Sequence, residues 1–443
     1  MGPESNEPTS STSELRLEGS PMTRRDLIKR AGLAGLVLGA AGGLGGVLSA
    51  CGSKSISSSA SSGSSAKTFK VYNALSYSGN AWSNSAANMV QAVAHTPPYD
   101  KMVEFHKIIS GSDISKQISD LQSMIAAGAD AIICYPLSPT ALNAVIDQAD
   151  AAGCKMFFYD GTVTNPKAYN VSYITAGFGQ NTAQFLVNQL GGQGKIFMDS
   201  GVSGTATDTI HNAAAKSVFA KYPGIKVASQ YWSNWDAVQA KTNTLKALAA
   251  NPDVNGVWSQ DGEYGVVQAL LQTHHKIIPV VGEMANGFRW QMKDLSGQGL
   301  KGVSSGSSPT VGAYAFKLAM ELLQGKLTDQ ELPHNVQFEL PWVPYDKVKV
   351  GDPFNPAAGG NMWPLAQVPP LFAATIYFPD LVPEINYDSA INGAAVSGAT
   401  IQDIAKDKIL KAPDVPGINS TTTTQPAGLY DLRPEYVTPI PVP

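Results

Sequence analysis

The sequence is short of cysteine and of charge. It has 3 cysteines among 443 residues, 15% of its residues are charged, and its formal net charge is −4. So few cysteines exclude a disulfide-built scaffold, and so few basic residues give no positive field for nucleic acid. The hydrophobic share of 43% is ample for two domains, each with its own core.

Sequence motifs of catalysis are also scarce. The chain has no H-E-x-x-H zinc helix and no G-x-x-x-x-G-K-[ST] phosphate loop. The pair His274–His275 stands alone at the end of a predicted helix, which favours solvated side chains over a metal site. No pattern places a nucleophile together with a base. We therefore expect no catalytic residue, no metal and no cofactor.

A single cysteine ends a long uncharged segment near the N-terminus. The pair Arg24–Arg25 precedes residues 31–50, which carry no charge, and the segment ends in "LSAC", whose last residue is Cys51. A basic head, an apolar middle and small residues before a processing point are typical of an export signal. The segment resembles a twin-arginine signal followed by a bacterial lipobox.

This resemblance implies that Cys51 is lipidated and that residues 1–50 are a leader and a signal peptide. Acyl chains would hold the protein to a membrane with about 0.8 kcal/mol for each buried CH₂. Residues 51–66, rich in Ser and Gly, would form a flexible tether. An uncleaved membrane anchor is the alternative, although a run so rich in Gly and Ala is a poor permanent span.

Short apolar runs alternate with helical patterns between residues 69 and 326. Runs such as "AIICYP" and "CKMFFYD" have the length and composition of parallel strands that are buried on both faces. So many strand–helix units predict two doubly wound α/β domains. A single eight-stranded barrel is the alternative, and the break near residues 169–177 argues against it. Cys134 and Cys154 lie in these runs, which favours buried free thiols over a disulfide.

The loops after the predicted strands are polar and contain almost no Lys or Arg. Their sequences are "SYSGNAW", "YPLSP", "YDGT", "SGVSGT", "YWSNW", "SQDGE" and "GEMANG". In doubly wound sheets, ligands bind beyond the carboxyl ends of the strands. Carboxylates and amides bond hydroxyl groups, and an indole covers the apolar face of a sugar ring. These loops therefore predict a small neutral ligand with many hydroxyl groups, whereas an anion would need Arg.

Several of these segments resemble the type 1 sugar-binding proteins of ABC importers, in the ribose-binding branch. The most specific are "SGNAW", "AAGADAIICYP", "YDGT" and "NPDVNGVWSQDGEYGVVQAL". The resemblance implies two Rossmann-like lobes with parallel sheets, joined by a three-strand hinge, with the ligand between them. The implied bounds are residues 67–176 with 306–326 for lobe 1, and residues 177–305 with about 327–340 for lobe 2.

The same resemblance implies a set of ligand-binding residues. It consists of Tyr77, Asn80, Trp82, Asp160, His211, Trp235, Asp261 and Glu283. His211 stands where the ribose-binding branch has Arg, Met284 where it has Asp, and Gly306 where it has a polar residue, which implies a ligand other than ribose.

Structural roles compete with ligand binding at most of these positions. The two tryptophans can be core residues, and His211 can pack within its helix. Asp160 can form a turn with the glycine that follows it. Asp261 can cap the following helix.

Residues 341–443 are rich in Pro, Gly and aromatic side chains, and the alternation stops there. Such a composition predicts irregular coil. We expect this C-terminal extension to wrap over one or both lobes rather than to serve as a docking surface for a partner.

The resemblance implies an extracytoplasmic solute-binding lipoprotein that is not an enzyme. It would be a monomer, anchored by lipid at the outer face of the bacterial cell membrane, in the periplasm or at the cell surface. It would close over a sugar or polyol and deliver it to ABC permease subunits. A lipoprotein that presents a bound ligand to a membrane receptor or kinase is the alternative. A lipid-anchored enzyme lacks motif support, and a repressor of the same fold would need an N-terminal DNA-binding helix pair.

Overall fold

The computed structural model describes residues 67–76, 79–351, 360–375, 381–404 and 435–442. The predicted export signal, the predicted lipidation site Cys51 and the site candidate Tyr77 lie outside these described residues. Within them, no helix combines the length and the hydropathy needed to cross a membrane.

Strands and helices alternate along most of the chain. The first part contains β1 (Phe69–Leu75), α1 (Ala81–Ala94), β2 (Val103–Ile109), α2 (Ile114–Ala126), β3 (Ala131–Tyr135), α3 (Asn143–Ala151), β4 (Lys155–Tyr159) and β5 (Tyr169–Tyr173). The middle part contains α4 (Thr175–Gln189), β6 (Gln193–Ser200), α5 (Ala206–Phe219), β7 (Gly224–Trp232), α6 (Ala237–Ala250), β8 (Gly256–Ser259), α7 (Glu263–Gln272), β9 (Val280–Val281), α8 (Asn286–Leu295) and β10 (Val303–Ser305). The last part contains α9 (Thr310–Leu323), β11 (Asn335–Phe338), β12 (Trp342–Pro344) and α10 (Tyr387–Asn392). Short 3₁₀ helices occupy Tyr99–Lys101, Ser296–Gln298 and Tyr345–Lys347.

Polar residues at the strand-to-helix turns define where several helices begin. Asn80 caps α1, Asp113 caps α2, Thr205 caps α5 and Asp236 caps α6, each by accepting a hydrogen bond from a backbone N–H in the first turn. Such caps satisfy N–H groups that have no partner within the helix. Two of these turns, before α1 and before α6, also carry cavity-lining residues.

Two parallel sheets form the core of the described chain. One has six strands in the order β11-β5-β4-β3-β1-β2, and the other has four in the order β7-β6-β8-β9. Every pairing within these two sheets is parallel. We name the first sheet and its helices lobe 1, and the second sheet and its helices lobe 2. The arrangement confirms two doubly wound α/β lobes and excludes the single barrel.

The chain passes between the lobes three times. It crosses from β5 to α4, from β10 to α9, and from β11 to β12. β10 and β12 pair antiparallel, and Ser304 in β10 forms a parallel bridge with Gly282, next to β9. Strand β11 pairs with β5 in lobe 1, so the expectation that residues 327–340 belong to lobe 2 is wrong for this strand. The edge strand β11 joins lobe 1 only after α9 has led the chain back from lobe 2.

The two remaining cysteines are buried and free. Cys134 lies within β3 and Cys154 precedes β4, and neither forms a disulfide. Burial raises the pKa of the Cys154 thiol to about 12 and raises that of Cys134 further. Both therefore behave as small hydrophobic residues, as the sequence predicted.

The described parts of the C-terminal extension, which we call the C-terminal arm, contact both lobes. On lobe 2, Asn286 accepts a hydrogen bond from the backbone N–H of Trp363 at 2.9 Å. On lobe 1, Asn88 donates to the carbonyl of Ile391 at 2.7 Å. Helix α10 packs against α1. The arm thus contacts helices of both lobes.

Candidate ligand site

A small cavity lies where the carboxyl ends of the two sheets meet. Its volume is about 30 Å³, which is room for only a few water molecules. It is lined by Asn80, Trp82, Tyr135, Asp160, Thr207, Trp235, Asp261, Glu283 and Ser307. Both lobes supply these residues, so the cavity exists only where the lobes face each other.

Lobe 1 provides an amide and an indole from the start of α1. The Asn80 side chain accepts from the backbone N–H of Ser83 and so holds a fixed orientation. Its Nδ2 donates across the cleft to the Trp235 carbonyl and to Asp261 Oδ2, each at 3.4 Å. The indole N–H of Trp82 donates to the Ser307 carbonyl at 2.6 Å. These bonds fix both side chains at the cavity wall.

Three cavity residues that are not glycine have left-handed backbone conformations. The φ angles are 61° at Asp160, 56° at Trp235 and 52° at Asp261. Asp tolerates this region, whereas a bulky residue such as Trp is a genuine outlier there. Strained backbone is concentrated at functional sites, where the surrounding fold maintains it. The fold therefore holds these side chains in orientations that ordinary turns would not select.

A close approach of backbone fixes the Trp235 ring. A Cβ atom on Gly201, just after β6, would lie 2.1 Å from Trp235 Nε1 and 2.2 Å from Cε2. Only glycine leaves space for the indole at this position. The ring is consequently buried, with 7% of the residue exposed.

The cavity is acidic. Burial raises the pKa of Asp160 from 3.8 to about 6, although a hydrogen bond with Ser307 partly offsets the shift. Burial and repulsion from nearby carboxylates raise the pKa values of Asp261 and Glu283 well above their usual range. A carboxylate that loses water without gaining a cation favours its protonated form.

Six of the eight sequence-predicted ligand residues line the cavity. They are Asn80, Trp82, Asp160, Trp235, Asp261 and Glu283. Their convergence is observed, and their contact with a ligand stays a prediction. The capping role that competed for Asp261 does not apply, because Gly262 is the N-cap of α7 and makes no side-chain capping bond.

His211 does not line the cavity. It lies in α5 with its ring 4.4 Å from that of Phe178, and its Nδ1 is 3.2 Å from Gln260 Oε1. Burial lowers the pKa of His211 to about 3, so the ring is neutral. The packing role that competed at this position describes the geometry better than ligand contact does.

Three cavity residues escaped the sequence prediction. Tyr135 is the last residue of β3, Thr207 lies in the first turn of α5, and Ser307 follows β10. Tyr135 and Ser307 obey the rule that ligand residues follow strand ends, so a stricter application of that rule would have found them. Thr207 carries no such signal, since its position depends on the angle between the two lobes.

A larger cavity adjoins the first one. Its volume is about 450 Å³, and it shares Asn80, Trp235 and Asp261 with the inner cavity. Residues 369–372 of the C-terminal arm form part of its wall. The arm therefore reaches the mouth of the site.

Residues 302–306 read G-x-S-x-G, a pattern that also marks serine hydrolases. The geometry differs from a nucleophile elbow, because Ser304 lies fully buried within β10 and accepts a hydrogen bond from Arg289 Nε. Among the described residues, no three His, Cys, Asp or Glu side chains lie where they could hold a metal ion.

Comparison with known proteins shows which family this chain resembles. Residues 71–327 match the family described as the periplasmic binding protein domain. A xylitol-binding protein of Mycolicibacterium smegmatis is 29% identical over 179 residues, which cover 39% of this chain but only about half, 51%, of that protein. A ribose import binding protein of Bacillus subtilis is 22% identical over 236 residues, which cover 52% of this chain and 74% of that protein.

A solved structure agrees with the fold. An ABC transporter solute-binding protein of Thermobispora bispora has 25% identity and a TM-score of 0.56, covering 62% of this chain and 84% of that one. Since the family matches more than half of the sequence, the chain belongs to the periplasmic binding protein domain family. The resemblance to type 1 sugar-binding proteins is confirmed, and the C-terminal arm lies outside the matched region.

Proposed function

We propose that this protein captures a sugar or polyol between its lobes and delivers it to an ABC importer, as a lipid-anchored protein outside the cytoplasm. The observation that carries the proposal is the cavity between the lobes, where two indoles, an amide and three carboxylates converge. The names of the relatives, which bind xylitol and ribose, support the same class of ligand.

The cavity residues suit hydroxyl groups and C–H faces. Carboxylate oxygens accept hydrogen bonds from hydroxyls, and the Asn80 amide can both donate and accept. The indoles of Trp82 and Trp235 offer apolar faces to a sugar ring. Binding needs no group that makes or breaks covalent bonds.

A sugar is larger than a cavity of about 30 Å³, so the lobes must separate to admit it. The three crossovers form the hinge, and closure brings residues of both lobes onto the ligand. The closed form is stabilised only by contacts that the open form lacks, such as those to Asp160 and Asp261 at the same time. The importer would recognise that closed form.

Titration calorimetry with the mature chain tests the proposal against pentoses, hexoses, polyols and nucleosides. We expect saturable binding of at least one sugar or polyol, weakened about tenfold by Trp82→Ala because a stacking face is lost. The control is Trp232→Ala, which removes an indole that is 43% exposed and lies outside the cavity lining. Absence of binding across the whole panel would refute the ligand class.

A further inference from the structure

The charge of the inner cavity is unbalanced. Asp160, Asp261 and Glu283 are three of its nine lining residues, and none of the nine is Lys, Arg or His. Two more carboxylates, Asp199 and Glu263, lie fully buried nearby and repel Asp261. Such a group of buried carboxyls is costly to ionise without a counter-charge, because each has lost its water.

Glu283 is the least satisfied member of this group. Only 8% of the residue is exposed, it lines the cavity, and no hydrogen bond offsets the rise in its pKa that burial and the neighbouring carboxylates cause. Asp261 accepts from Asn80, and Asp160 has a hydrogen bond with Ser307. An occupant of the cavity that carries a hydrogen-bond donor would satisfy this carboxylate.

The buried guanidinium of Arg289 is engaged elsewhere. Its Nε donates to Ser304 at 2.9 Å, its Nη2 donates to Thr375 at 2.8 Å, and its Nη1 donates to the Asn361 carbonyl. Its charge favours the ionised form of Glu263, behind the cavity. Arg289 therefore ties β10 to the C-terminal arm and does not line the cavity.

We propose that the polyhydroxylated ligand of this cavity carries a protonated amine, which Glu283 binds together with Asp261. This inference rests on the proposed function and narrows its ligand class to amino sugars and amino polyols. It departs from the neutral ligand that the sequence predicted, because the structure brings together carboxylates that are separate along the chain.

An ammonium group would bind the carboxylates of this cavity more strongly than a hydroxyl would. It has three donors and no acceptor, so one ammonium can donate to Glu283 and Asp261 at once. Hydrogen bonds between charged partners are roughly twice as strong as neutral ones. The mutual repulsion that raises the pKa of Glu283 would be relieved by a cation between the carboxylates.

Paired ligands test this inference by calorimetry on the full mature chain at neutral pH. The pairs are D-glucose with D-glucosamine, D-galactose with D-galactosamine, and D-glucitol with 1-amino-1-deoxy-D-glucitol. Putrescine serves as an amine without hydroxyls, and calcium chloride as an inorganic cation. We expect the amine of at least one pair to bind about tenfold more tightly than its neutral partner.

Two isosteric variants assign the effect to the cavity. Glu283→Gln should weaken binding of the amine about tenfold and leave its neutral partner within a few-fold. Asp261→Asn should act in the same direction. Thermal melting shows whether each variant is folded. The matched control is Asp253→Asn, which removes one carboxylate from the surface of lobe 2, where its side chain is 62% exposed beside Lys195.

The outcomes separate the two proposals. Equal or tighter binding of the neutral partner in every pair would overturn the amine and leave the proposed function standing. Binding of putrescine without any sugar or polyol would refute the proposed function and, with it, the polyhydroxylated amine. If calcium binds and Glu283→Gln abolishes that binding, the proposal that the cavity binds an organic amine is overturned. Binding of none of these probes would overturn the amine, and the proposed function would fall with it only if the whole panel of pentoses, hexoses, polyols and nucleosides also failed to bind.

Discussion

Asp160 combines two unusual properties in one residue. Its backbone has a φ of 61°, and its buried carboxyl has a pKa of about 6. The conformation suits Asp and Asn, whose short polar side chains tolerate the left-handed region. Replacement by Asn therefore changes the charge while it keeps the shape and the backbone.

Asp160→Asn should alter how stability depends on pH. The folded pKa of about 6 lies above the ordinary value of 3.8, so the folded state holds this proton more tightly than the unfolded state does. The stabilising contribution is complete below pH 3.8 and is lost as the pH rises through about 6. It amounts to at most about 3 kcal/mol.

Urea unfolding of the wild type and of Asp160→Asn measures this contribution. The two should have similar free energies of unfolding near pH 4, and the variant should be more stable at pH 8. A difference that does not change with pH would show that Asp160 is not the group that titrates.

Gly201 controls the Trp235 indole. In Gly201→Ala the new Cβ would overlap the ring, so the indole must leave its place at the cavity wall. We expect tryptophan emission to shift to the red and ligand affinity to fall about tenfold. Gly297→Ala is the control, since nothing lies within 4 Å of its added Cβ. Unchanged emission and affinity in Gly201→Ala would contradict the assigned role of the ring.

At the scale of elements, the turns that follow the strands supply most of the cavity-lining residues. The turn from β1 to α1 supplies both a helix cap and a cavity residue in Asn80. Parallel strands bring such turns together at one edge of each sheet. The C-terminal arm adds a contribution of its own, because it is attached to α8 of lobe 2 and reaches the mouth of the site.

Asn286 attaches the arm to lobe 2 through three hydrogen bonds. Its buried side chain accepts from the Trp363 N–H at 2.9 Å and donates to the carbonyls of Trp363 at 3.1 Å and Val368 at 3.2 Å. Asn286→Ala leaves these backbone groups without partners, so it should lower the free energy of unfolding by about 3 kcal/mol. Asn88→Ala removes a partly exposed hydrogen bond between lobe 1 and the arm, and it should lower the free energy of unfolding by about 1 kcal/mol.

Thermal melting and hydrogen exchange of residues 361–374 measure the two effects. Exchange in this segment should rise in Asn286→Ala and stay unchanged in Asn88→Ala. Equal effects of the two variants would mean that the arm does not depend on its attachment to lobe 2.

At the scale of the whole molecule, the proposed anchor can be tested apart from the fold. If the lipobox resemblance is correct, labelled palmitate should enter the wild-type protein and be absent from Cys51→Ala. Cys134→Ala should keep the label, because Cys134 is buried within β3. Label in Cys51→Ala would refute lipidation at that residue.

Much of the architecture was predictable from local pattern. Apolar runs such as 131–135 predicted buried parallel strands, and polar residues after them predicted the site edge, because both signals are short-range. Strand β11 was assigned to the wrong lobe, since nothing local distinguishes the two sheets as pairing partners. Thr207 was missed because only the meeting of the two lobes makes it a cavity residue.

The sequence by itself determined the family, the alternation of strands and helices, and six residues that now line one cavity. The tertiary structure alone decided how those residues combine. Asp160, Asp261 and Glu283 are separate along the chain, and they become an acidic cluster only when two lobes bury them together. Repulsion and desolvation depend on distance and burial in space, and the order of residues does not encode either one directly.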